Sequence, residues 1–174
     1  MKRRSATVKK PISAAVFPGS FDPLTKGHVD IIERSAEIFD TVIVGVLDNP
    51  SKNALFSPAE RVELIAAQFA RLKGRVLVES FSGLLVEFVQ SVGSRVIIRG
   101  LRAISDFDYE AQMALVNRKL SPEVETFFLT AREEHSYISS SVVRQVAMLG
   151  GDVSGMVPPG VAAALRRKYR DKHK

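Results

Sequence analysis

Ile12-Ser13-Ala14-Ala15-Val16-Phe17-Pro18-Gly19-Ser20-Phe21-Asp22-Pro23-Leu24-Thr25-Lys26-Gly27-His28 is the stretch on which the reading of this chain turns. Ile12 to Phe17 is a short apolar run of the kind that forms a buried strand, and beyond His28 the residues Val29, Ile32, Ala36 and Phe39 recur at helical spacing. Between them lies a polar, turn-rich loop bearing Gly19 and Gly27. A strand, a glycine-bearing loop and a helix beginning at a histidine make an anion site. The glycines let backbone approach a ligand, and the unpaired N–H groups of the first helical turn favour negative charge. His28 in that turn adds a donor beside a phosphate, so the loop points to a nucleotide.

Outward from this unit the alternation continues. Val42 to Leu47 is a β-branched run that reads as a second buried strand. Ser57-Pro58-Ala59-Glu60 supplies an N-cap, a proline at the first helical position and a capping-box glutamate, opening a helix with Val62, Ile65, Ala66, Phe69 and Leu72 on one face. Val76 to Val78, Val96 to Ile98 and Thr126 to Leu129 read as strands three to five. Helices run between them, through Leu84, Leu85, Phe88 and Val92, then through Phe107, Ala111, Ala114 and Leu115. Two more close the chain, through Val142, Val146 and Leu149, and through Val161, Leu165 and Tyr169. This predicts a single α/β domain over 11–165, a doubly wound five-stranded parallel sheet with C-terminal helices, flanked by basic tails at 1–10 and 166–174. Ligands of such sheets sit beyond the carboxyl ends of the strands. The loops to watch are therefore 18–28, 48–57, 79–83, 99–106 and 130–141.

The composition narrows the class. The chain has 174 residues, no cysteine and a formal charge of +6. Without cysteine there is no disulfide, thiolate nucleophile or cysteine–metal site, and a reducing cytoplasm is the expected compartment. No apolar run is long enough to span a bilayer, and Met1-Lys2-Arg3-Arg4 is followed by no signal-like apolar segment. The positive charge sits at the ends: residues 11–165 hold 14 basic and 18 acidic side chains. Partners are thus expected to be small molecules, with neither nucleic acid nor membrane among them.

Several motifs fall in those loops. A P-loop and a dinucleotide fingerprint are both missing. Lys52 follows the second strand, and Arg99-Gly100-Leu101-Arg102 the fourth. Paired arginines about a glycine suit phosphate, although ion pairs with Asp106, Asp108 or Glu110 would use the same side chains. His135-Ser136-Tyr137-Ile138-Ser139-Ser140-Ser141 follows the fifth strand, where the serines either cap a helix or hold a triphosphate, with Arg144 one turn along. No nucleophile elbow and no H-E-x-x-H occurs, so a metal would be Mg²⁺ carried on substrate phosphates.

Taken together, Pro18–Pro23, Thr25-Lys26-Gly27-His28, Pro50-Ser51-Lys52, Ile98–Arg102, Asp106–Glu110 and Ile138–Ser141 resemble the bacterial phosphopantetheine adenylyltransferases, in order and spacing, from about Ala14 to about Leu165. The resemblance implies a Rossmann-like nucleotidyltransferase fold and transfer of AMP from ATP to 4′-phosphopantetheine, giving dephospho-coenzyme A and pyrophosphate. It also implies Mg²⁺ and a homohexamer. By position, Ser20, Lys52, Leu85 and Arg99 would meet phosphopantetheine. Ser20, Phe21, His28, Gly100, Leu101, Arg102, Glu110 and the run His135, Ser136, Tyr137, Ile138, Ser139, Ser140 and Ser141 would meet ATP, with His28 stabilising the transition state. The chain departs from the pattern at Ser20, where threonine is common, at Gly83, where an acid is frequent, and at His135, where an aromatic is usual. The rival readings are a related enzyme using CTP or a nicotinamide mononucleotide acceptor, and a binding module without turnover.

Overall fold

In the computed structural model, which describes residues 14–49 and 53–170, the first apolar run becomes β1 (Ala14–Gly19), followed by α1 (Lys26–Ile38). Then come β2 (Thr41–Leu47), α2 (Pro58–Gln68), β3 (Val76–Phe81), α3 (Leu85–Ser91), β4 (Val96–Leu101) and α4 (Ile104–Leu120). The chain continues through β5 (Glu125–Thr130), α5 (Ser140–Met148) and α6 (Pro159–Arg170). Single 3₁₀ turns lie at Ala70–Leu72 and Glu133–His135.

All five strands are parallel, in the order β3-β2-β1-β4-β5, as a doubly wound sheet requires. Side chains alternate across the sheet, and this separates two cores. Ala15, Phe17, Val42, Val44, Val96 and Ile98 pack with Ile32 of α1, Ile65 of α2 and Leu165 of α6. Val16, Ile43 and Ile97 turn to the other side, against Phe81, Phe88 and Val89. Each such Val, Ile, Leu or Phe, once fully buried, contributes about 1.5–3 kcal/mol of apolar transfer energy, which is why the strands are near-continuous in Val and Ile. Phe81 and Phe88 stack with centroids 4.3 Å apart. They lie directly over Gly45 of β2, where an added Cβ would stand 2.7 Å from the Phe88 ring.

The elements follow the sequence reading in kind and order, with shifted ends. β3 and β4 run to Phe81 and Leu101, so Arg99, Gly100 and Leu101 belong to a strand end and only Arg102 and Ala103 connect it to α4. Parallel pairing with β5 carries β4 past its apolar core, since backbone hydrogen bonding does not depend on side-chain polarity. α6 runs through Arg170, in keeping with a closing helix through Val161, Leu165 and Tyr169, and so spans the first residues of the basic 166–174 segment. Lys168 there pairs with Glu60 at 2.7 Å. On α4, Phe107 meets Phe128 of β5 edge-on with centroids 5.9 Å apart and is 47% exposed, while Leu115 is 69% exposed. The segments 1–13, 50–52 and 171–174, with Lys52 among them, lie outside the described residues.

Candidate active site

The sheet order reverses between β1 and β4, and there the strands pair at Val16–Ile97 alone, against six residue pairs between β1 and β2. Their carboxyl ends therefore part. Arg99 closes the gap by donating from Nη1 to the Pro18 carbonyl at 3.0 Å. Its Nε and Nη2 bind the two oxygens of Glu110 at 2.6 and 2.5 Å. A guanidinium has five N–H groups, so two remain for a ligand while Glu110 holds the plane. Arg102 pairs with Asp106 at 3.1 Å. The ion pairs that the sequence offered as the alternative use of both arginines are thus present, and both side chains still line the cavity described below.

His28 is positioned by the start of α1. Thr25 is the N-cap, with Oγ1 accepting from the His28 amide at 3.3 Å. The Thr25 amide donates in return to His28 Nδ1 at 3.1 Å. This is a capping box in which imidazole takes the place usual for Glu or Gln. Since Nδ1 accepts, the proton of the neutral ring sits on Nε2. Burial, then the charges of Arg102 and Arg99, lower its pKa from 6.5 to about 4. The ring is a neutral donor at physiological pH.

Phe21 braces this imidazole from the other side, edge-on with centroids 5.1 Å apart and planes at 77°. To do so it takes a left-handed backbone, φ 47°, which costs a non-glycine residue about 1–2 kcal/mol. Gly19 makes room: a Cβ there would lie 2.9 Å from the Phe21 ring.

Two cavities meet at this switch point. The first, of about 490 Å³, is lined by Ser20, Phe21, His28, Arg99, Gly100, Arg102 and Glu110 with Ile138, Ser139 and Ser140 across from them. The second, of about 310 Å³, is largely apolar and lined by Leu84, Leu85, Met113 and Leu120. They share Pro18, Gly19, Arg99, Tyr109 and Glu110 as a common wall. Leu101, His135, Ser136, Tyr137 and Ser141, also singled out in the sequence, line neither. His135 packs behind the first, against Gly27, and keeps a buried Nδ1 with no hydrogen-bond partner.

The serines divide their tasks. Ser139 caps α5, accepting from the Val142 amide at 3.2 Å, while Ser140 donates to the Pro23 carbonyl at 2.8 Å. Arg144, one turn along, pairs with Asp22 at 2.6 Å and lines a further cavity with Ser20, Asn49 and Arg61. Asp22, quoted in the Pro18–Pro23 motif without a role, and Arg61, outside every motif, are both buried and hold the loop. Arg61 donates to the carbonyls of Ser20, Leu47 and Phe56 at 2.7, 3.0 and 3.1 Å. One signal was available: Arg61 stands four residues before Ile65, on the apolar face of α2.

Residues 16–146 match the cytidylyltransferase-like family, and with the histidine and cavity at the switch point this makes the chain a nucleotidyltransferase. It is 54% identical over 160 residues to the phosphopantetheine adenylyltransferase of Heliobacterium modesticaldum, covering 92% of this chain and 95% of that one. It is 52% identical over 157 residues to the enzyme of the same name from Alkaliphilus metalliredigens, covering 90% and 99%. The chain belongs to the phosphopantetheine adenylyltransferase family. A solved structure of a Vibrio parahaemolyticus protein assigned as a nicotinate-nucleotide adenylyltransferase shares the fold, at TM-score 0.66 and 20% identity over 91% of this chain and 95% of that one.

Proposed function

We infer that the joined cavities transfer AMP from ATP to 4′-phosphopantetheine, giving dephospho-coenzyme A and pyrophosphate. The observation that carries this is the meeting of a polar and an apolar cavity at Arg99, beside a neutral histidine donor. The nucleotide occupies the first, and the pantetheine arm lies along Leu85 in the second. The phosphates meet at the common wall. An oxygen of the pantetheine phosphate forms a bond to the α-phosphorus while the bond from that phosphorus to the leaving pyrophosphate oxygen breaks, in line. The attacking oxygen is already ionised, so no general base is required. Catalysis then rests on positioning and on stabilising charge.

His28 donates from Nε2 to the α-phosphate as its oxygens gain charge. Ser20, Lys52 and Arg99 hold the pantetheine phosphate. Phe21, Gly100, Arg102 and Glu110, with Ile138, Ser139 and Ser140 across the first cavity, surround ATP. Among the described residues no group of three or more His, Asp or Glu could cage a metal, and Asp106 and Glu110 are both engaged by arginines. That donor set fits Mg²⁺ entering on the triphosphate, where it would neutralise phosphate charge. We also place the reaction in the cytoplasm, and assign a homohexamer. Supporting the latter is the apolar, exposed side of α4, with Leu115 at 69%.

Pyrophosphate release tests the reading. ATP with phosphopantetheine and Mg²⁺ turns over, stops with EDTA and resumes on added Mg²⁺. CTP, or nicotinamide mononucleotide as acceptor, gives little. Preference for either of those would overturn the assignment.

A further inference from the structure

The first loop is the junction of two segments that never touch each other directly in the sequence, and one buried carboxylate joins them. Asp22 is 3% exposed. Its Oδ1 accepts the Phe56 amide at 2.9 Å, and its Oδ2 accepts the Leu55 amide at 2.8 Å. The same Oδ2 receives Arg144 Nη1 at 2.6 Å, and that nitrogen also reaches the Asp22 carbonyl at 2.9 Å. Arg144 belongs to α5, whose first turn presents Ser139 and Ser140 to the larger cavity. Ser140 adds a second tie to the neighbouring Pro23 carbonyl.

We propose that Asp22 and Arg144 are positioning residues: their ion pair sets the start of α5, beside the cavity assigned to ATP, against the loop whose Pro18 and Gly19 are common to both cavities, and so holds the two substrate sites in line. This rests on the function inferred above. The Asp22 side chain is buried while that of Arg144 is 35% exposed, so one partner is desolvated and solvent screens the attraction, and bulk stability is a poor reason to keep the pair. What the pair supplies is direction. Two backbone amides and a guanidinium converge on one carboxylate, and each contact is charge-assisted and geometrically demanding. Arg144 carries only the α5 link, whereas Asp22 carries both. The two residues should therefore fail differently.

The test compares Arg144→Met, Arg144→Lys and Asp22→Asn with the unaltered enzyme, by steady-state kinetics and by amide hydrogen exchange of the ligand-free protein. Arg144→Met is expected to raise KM for ATP about tenfold, the order of one charge-assisted hydrogen bond, and leave KM for phosphopantetheine within about twofold. Exchange quickens at Val142 and Val143, while Leu55 and Phe56 stay protected by Asp22. Arg144→Lys restores the ATP value by returning the cation. Asp22→Asn raises both KM values and quickens exchange in both segments; should that variant fail to fold, the Arg144 pair decides. An Arg144→Met enzyme whose two KM values move by the same factor, or whose α5 exchange is unchanged, would overturn the proposal. If the unaltered protein does not turn over ATP and phosphopantetheine, the functional reading falls, and the exchange pattern alone decides the strut.

Discussion

His28 shows how one position can serve helix and chemistry together. The capping box consumes Nδ1 as an acceptor, which leaves Nε2–H as the only donor and fixes the tautomer that a developing phosphate charge needs. Its folded pKa, about 4, lies below the unfolded value of 6.5. Between those limits the unfolded chain binds the extra proton, so the stability from a neutral His28 is complete above about pH 6.5 and lost as pH falls toward 4. It amounts to about 3 kcal/mol. Imidazole ¹⁵N shifts of the ligand-free protein should show a neutral, Nε2-protonated ring down to pH 5; a titration near 6.5 would contradict this. His28→Ala should lower turnover about a hundredfold or more, with the far-UV CD spectrum kept, as removal of a preorganised donor does. Near-native turnover would remove the residue from the mechanism.

Among the elements, helix starts were the most legible. Ser57 and Glu60 form the capping box their spacing announced, at 2.8 and 3.2 Å. Caps act within one turn, so sequence suffices to find them. α4 was legible as a helix but not as to its face, because its apolar residues are distributed around it and nothing local says which side the sheet takes. Gly45 is a second element-scale case. A glycine inside a β-branched run reads as a weak point, and only the stacked Phe81 and Phe88 above it explain its presence. Gly45→Ala would drive a methyl into that pair and should cost about 1–3 kcal/mol, as overpacking does. Thermal unfolding checks it, with a fall of about 2–4 °C expected per kcal/mol at this chain length. An unchanged midpoint would mean the rings yield freely.

For the whole molecule, the exposed apolar side of α4 predicts assembly. Sedimentation equilibrium should return six times the 19.1 kDa chain mass, and Leu115→Asp should yield a smaller species. A monomer at micromolar concentration would refute the hexamer. The pattern of β-branched runs, helical stripes and caps was enough to determine an α/β sheet with its polar loops at the strand ends. Such signals arise between residues a few positions apart and survive without knowledge of the fold. Which way the cations turn was decided only in three dimensions. Arg99 reaches Pro18, 81 positions away, and Arg144 reaches Asp22, 122 away. Those meetings depend on strand order and loop closure. A lone arginine therefore reads the same in sequence whether it will face a phosphate or brace the loop that holds one.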